Sequence, residues 1–114
     1  MQKLIYCNDG SLAPMIAERI ADGTWEIFGI SEVFGMGSGD YKTKLFDFVI
    51  SDLIILNSME GTSYVCLKKD QKWGLLEVKD NNTIECVWKL MSEFSYSTPK
   101  EMLSDFKINR HDFM

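Results

Sequence analysis

Residues 63 to 90, SYVCLKKDQKWGLLEVKDNNTIECVWKL, divide into three apolar-rich runs separated by two short polar segments, and their reading decides the fold. The first run, Ser63 to Leu67, leads through Lys69-Asp70-Gln71 into the second, Trp73 to Val78. Lys79-Asp80-Asn81-Asn82 then leads into the third, Thr83 to Leu90. Turns this short join antiparallel neighbours, since a parallel crossover needs roughly a dozen residues. In the third run Ile84, Cys86, Trp88 and Leu90 alternate with Thr83, Glu85, Val87 and Lys89, so the first four are expected on the core face of a β-meander.

Upstream, LFDFVISDLIIL (45 to 56) is legible at two periods. Period 2 places Phe46, Phe48 and Ile50 on one face, whereas the helical period makes a stripe of Phe46, Val49, Ile50 and Leu53; the β-branched content favours a strand bent near Ser51-Asp52. Asn57 to Thr62, with Gly61, forms the turn into the meander. Thr24 to Ile30 alternates Trp25, Ile27 and Gly29 with Glu26, Phe28 and Ile30, as a strand does. Lys3 to Cys7 is a first strand, ended by the turn residues Asn8-Asp9-Gly10. Between these two strands, Leu12, Met15, Ile16 and Ile20 fall at helical spacing. With Ser11 as N-cap, Pro14 in the first turn and Gly23 at the C-terminal cap, they predict a helix near 11–22.

Beyond the meander, Thr98-Pro99-Lys100-Glu101 has the form of a capping box and precedes Met102, Leu103 and Phe106, which predicts a second helix near 98–107. The expected architecture is α+β: an antiparallel sheet of about five to seven strands with a central meander, flanked by an N-terminal and a C-terminal helix. Its 114 residues are enough for one hydrophobic core, so residues 1–114 are read as a single domain.

Composition narrows the function classes. With 46% hydrophobic and 25% charged residues the chain is an ordinary globular one, and its apolar runs fall far short of the roughly 18 residues a spanning helix requires. The first ten residues do not build a secretory leader, and a cytoplasmic protein is expected. Three widely spaced cysteines, Cys7, Cys66 and Cys86, suit reduced buried thiols, and without a close pair they do not join His111 in a zinc site. The net charge of −5 disfavours nucleic-acid phosphates and suits a basic protein partner. Residues 1 to 57 hold 4 basic against 8 acidic side chains, and residues 58 to 114 hold 8 against 9, so an acidic face would come from the first half.

Lys72-Trp73-Gly74-Leu75-Leu76-Glu77, preceded by Val65 and Lys68-Lys69, resembles the core of a WG repeat, a β-rich bacterial repeat. Phe46-Asp47-Phe48-Val49 is similar to the segment that precedes that motif, and Trp88-Lys89-Leu90 stands where a next copy would begin. The resemblance covers residues 46–90, with Gln71 in place of the turn glycine and one copy only. It implies a non-catalytic scaffold or protein-binding module.

Gly35-Met36-Gly37-Ser38-Gly39, followed by Lys42 and Lys44, invites comparison with phosphate-cradling loops. The spacing departs from both the P-loop and the dinucleotide fingerprint, so a hinge or hairpin connection is the plainer reading. One histidine and scattered carboxylates nominate no catalytic or metal residues and no cofactor. Cys7, before the expected helix, is the thiol best placed for activation, but it has no assignable base, and a small buried residue is the plainer reading. The leading expectation is a non-catalytic protein-binding domain, a small acidic inhibitor or immunity-type protein of bacterial or phage origin. It would meet its protein partner through Glu26, Glu32, Asp40 and Tyr41, as a monomer or homodimer, without nucleic acid or membrane. The alternatives are a small-ligand or nucleotide binder using Gly35, Gly37, Gly39, Lys42 and Lys44, and an oligomeric structural module.

Overall fold

The computed structural model describes residues 2–5, 15–32, 40–58, 61–80 and 86–113. Among them eight strands form two antiparallel four-stranded sheets. The first sheet holds β1 (Gln2–Ile5), β2 (Met15–Arg19), β3 (Trp25–Glu32) and β4 (Asp40–Lys44). The second holds β5 (Asp52–Leu56), β6 (Thr62–Lys69), β7 (Lys72–Asp80) and β8 (Cys86–Tyr96), and both sheets follow chain order. A helix, α1 (Pro99–Asp105), and a 3₁₀ turn (Arg110–Asp112) follow. The expected α+β architecture is therefore corrected to a mostly β one with two sheets. No helix among the described residues is long and apolar enough to cross a membrane.

The largest correction falls on the expected helix near 11–22. Residues 11–14 lie outside the described residues, but Met15–Arg19 is a central strand, paired with β1 on one side and β3 on the other. Ala17 is fully buried while its neighbours Ile16 and Glu18 are half-buried, the period of a strand. Gly23, read as a helix cap, instead closes the β2–β3 hairpin. Its N–H donates to the Ile20 carbonyl (2.9 Å), the Ile20 N–H donates to the Thr24 carbonyl (2.9 Å), and its φ is +87°. This is the three-residue hairpin loop that ends in a left-handed residue, and the Asp22 carboxylate secures it by accepting the Thr24 N–H at 3.0 Å.

The meander is formed as expected at its first turn. Lys69 and Lys72 are paired, and between them Asp70 (φ 49°) and Gln71 (φ 72°) both take positive φ, the signature of a type I′ turn. The third strand is corrected. Residues 83–85, Ile84 included, lie outside the described residues, and the strand runs on to Tyr96. Leu90 is half-buried and Trp88 is 43% exposed, so the expected core face holds only in part.

The second sheet is apolar on both faces. Leu53, Val65, Leu67, Leu76 and Val78 pack against Ile5, Ala17, Trp25 and Ile27 of the first sheet, with Ile50 among them. On the reverse face Leu56, Cys66, Trp73 and Leu75 pack against Met102 and Leu103 of α1. That double burial explains the near-continuous apolar runs of β6 and β7. The only fully buried polar residue among those described, Ser63, is satisfied: its hydroxyl accepts the Ser58 N–H at 2.8 Å. Thr98 caps α1 as its sequence foretells, with Oγ1 accepting the Glu101 N–H at 3.2 Å.

Candidate partner-binding surface

The joint between the sheets generates the most unusual surface. After β4 the Leu45 N–H still donates to the Ile27 carbonyl, and Ile50 is bridged to Trp25 by two hydrogen bonds of 2.7 and 3.4 Å. Two steps along β3, from Ile27 to Trp25, are thus matched by five on the opposing chain, from Leu45 to Ile50. The excess is extruded as Phe46-Asp47-Phe48-Val49. At Ser51, whose N–H donates to the Lys68 carbonyl (2.9 Å), the chain leaves the first sheet and joins the second. Only the last part of 45–56 is therefore regular strand, with the bend at Ser51 as expected.

The extruded residues lean on β8. Phe46 stacks on Phe48 (centroids 4.9 Å apart) and meets Trp88 edge-on at 5.4 Å; Phe48 meets Phe94 edge-on at 5.1 Å. The Lys69 ammonium lies 4.6 Å from the Phe48 centroid and 5.5 Å from that of Phe94. Such ring pairs each contribute about 0.5–1.5 kcal/mol and an exposed cation over a ring about 0.5–1 kcal/mol, enough to hold a short extruded segment in place. The large hydrophobics most exposed among the described residues both belong here: Val49 at 54%, next to Phe48, and Trp88 at 43%.

Gly74 makes this arrangement possible. It sits where the β7–β8 register shifts, and a methyl group on it would lie 2.9 Å from the Ser92 carbonyl oxygen and 3.0 Å from the Phe94 ring. Trp73, its neighbour in the WG-like motif, is buried on the opposite side against α1. The two residues of that motif therefore serve opposite faces of one sheet.

The residues nominated from sequence are only partly brought together. Pairing of β3 with β4 sets Glu32 directly opposite Asp40 and Ser31 opposite Tyr41, so two acidic positions and a tyrosine share one end of the hairpin. Like charges placed opposite each other oppose pairing. Glu26 stands apart, about 20 Å back along β3 at ~3.3 Å per residue. It forms an ion pair with Lys44 at 3.3 Å, with both side chains partly exposed, which limits that pair to roughly 1 kcal/mol and engages two nominated residues with each other. Gly35, Gly37 and Gly39 lie outside the described residues, as does Cys7, and Lys42 is placed only by its pairing with Ile30.

Of the remaining chemistry, Cys66 is fully buried, and burial pushes its thiol up to about 11, only partly offset by the charge of Arg110. The Tyr64 hydroxyl is also raised, first by burial and then by the Glu77 carboxylate beside it. His111 is exposed in the 3₁₀ turn, and no group of three potential metal ligands occurs among the described residues. Sequence reasoning missed Val49 and Trp88 as exposed residues: the pattern of 45–56 records apolar content and not the extrusion, and the alternation of 83–90 placed Trp88 on the core face. In comparison with known proteins, no family model matches the chain, and no curated protein or solved structure resembles it significantly.

Proposed function

We propose that this chain is a non-catalytic protein-binding domain that sequesters a basic protein partner, in the manner of small acidic inhibitor and immunity-type proteins of bacteria and phage. The observation that carries the proposal is the aromatic ridge in which the exposed Trp88, and Val49 next to Phe48 in sequence, border Phe46, Phe48 and Phe94, whose rings are half-buried against the core. Aromatic side chains already held in place by their neighbours lose little entropy on docking, and such residues dominate the energetics of interfaces. The ridge is rimmed by Asp47 and Lys69, and charge supplies the selection of partner: a net −5, with Glu32 opposite Asp40 at one hairpin end, favours encounter with a basic surface.

The test uses the intact chain and its Val49→Glu variant as parallel baits in the host extract, followed by binding kinetics with the purified candidate. Because Val49 is exposed, the variant should keep the wild-type melting temperature while losing at least about tenfold in affinity, as expected for a charge forced into an apolar interface centre. A partner held equally by both baits would place the interface elsewhere. Neutralising Glu32 and Asp40 together should slow association and flatten its salt dependence; unchanged kinetics would remove the acidic pair from the account.

A further inference from the structure

α1 carries a second surface that the partner reading leaves unused. Lys100, Leu103, Ser104 and Lys107 fall at i, i+3, i+4 and i+7, along a single side of the helix and its C-terminal cap. The chain then folds back through Ile108, Asn109, Arg110 and His111, and these eight residues line an open groove of about 430 Å³. Its floor is apolar, Leu103 being buried and Ile108 half-buried, while Lys100, Lys107, Arg110 and His111 stand exposed at its margins. Three permanent cations and the only histidine thus meet at one groove on a chain whose net charge is −5.

Part of this gathering follows from the fold, since cations are favoured at the C-terminal end of a helix and the Arg110 charge acts on Cys66. The turn back is a Schellman cap: the Ile108 N–H donates to the Leu103 carbonyl at 2.8 Å and the Lys107 N–H to the Ser104 carbonyl at 3.1 Å. Lys107 itself holds φ 60°, the left-handed position for which glycine is the default. As at Gln71, a residue other than glycine takes the left-handed position, and here it adds a cation beside Arg110. The acidic residues of the same segment, Glu101, Asp105 and Asp112, are not among the lining residues, and Asp105 is engaged by the Tyr96 hydroxyl.

We propose that this groove binds a small phosphate-bearing ligand, the phosphate held by Arg110 and Lys107 and the apolar part of the molecule resting on Leu103 and Ile108. Arginine matches phosphate oxygens with paired N–H donors and lysine adds a point charge. Lys100, about 10 Å from Lys107 at 1.5 Å per helical residue, is placed for a second anionic group. The overall negative charge does not prevent this, since charges beyond about 8–10 Å are largely screened at physiological salt.

The experiment is an amide chemical-shift titration of the intact chain with inorganic phosphate, pyrophosphate and adenosine monophosphate, with sodium chloride at matched ionic strength as control. Saturable shifts centred on residues 100–111, strongest for pyrophosphate or the nucleotide, are expected. Arg110→Gln should weaken binding by about tenfold, the loss of one charge-assisted pair of hydrogen bonds. Lys107→Gly separates function from stability: it should raise the melting temperature by relieving the left-handed residue and still weaken binding. No saturable shift at millimolar ligand, shifts that chloride reproduces, or binding unchanged in Lys107→Gly would overturn the proposal.

Discussion

Gly74 shows how one atom can decide a surface. A Cβ there meets backbone at 2.9 Å, a distance at which the neighbour must move, and Phe94 on the other contact is already part of the ring cluster. Gly74→Ala should therefore cost about 1–3 kcal/mol by overpacking and shift Phe94, read by denaturant unfolding and by the Phe94 ring resonances. A neutral substitution would mean that β8 does not lie this close. Cys66 gives a second test. Below pH 9 the thiol is protonated in both folded and unfolded states, and its contribution to stability is complete. Between 9 and about 11 the unfolded chain ionises first, so stability falls by about 2–3 kcal/mol as pH rises through that window. Cys66→Ala should lower stability overall yet show a shallower alkaline decline, with Tyr64 and Tyr96 supplying what remains, since both hydroxyls are also raised.

At the scale of elements, the type I′ turn is the sharpest target. Asp70 and Gln71 both take positive φ, but only the first is a residue type that tolerates it well. Gln71→Gly should stabilise the chain by about 0.5–1 kcal/mol, the relief of the left-handed conformation less the entropy glycine loses on folding. Destabilisation would show that the turn is of another type. This hairpin was legible in the sequence because its signals are local: a short charged connection, Lys69-Asp70-Gln71, between two apolar-rich runs. The cap at Thr98 was legible for the same reason. β2 was not. Ser11, Pro14 and Gly23 are all permitted at helix ends, Asp22-Gly23 serves a hairpin equally well, and the choice falls to β1 and β3, which pair with Met15–Arg19 from outside any local window. The extrusion of 46–49 is harder still, since the bridge joins Trp25 to Ile50, 25 positions further along the chain.

For the whole molecule, the second sheet is the middle layer, covered by the first sheet on one face and by α1 with the C-terminal segment on the other. Double coverage consumes the apolar surface of β6 and β7, and the large apolar side chains left exposed among the described residues, Val49 and Trp88, come from the joint between sheets and from the edge strand β8. Of the nominated acidic residues, Glu32 and Asp40 converge at a hairpin end away from that joint, and Glu26 is occupied by Lys44. The candidate site was thus half legible: its charge could be counted, but its apolar centre arises from a change of sheet that no periodicity records. The central claim is that the ridge is buried by a protein. It is tested most directly by quencher access to Trp88 in the purified complex. Trp25 and Trp73 are buried and provide a constant background, which a Trp88→Phe variant measures. The account predicts that partner binding shifts Trp88 emission to the blue and abolishes most of its acrylamide quenching. A complex that leaves Trp88 as accessible as in the free chain would contradict it.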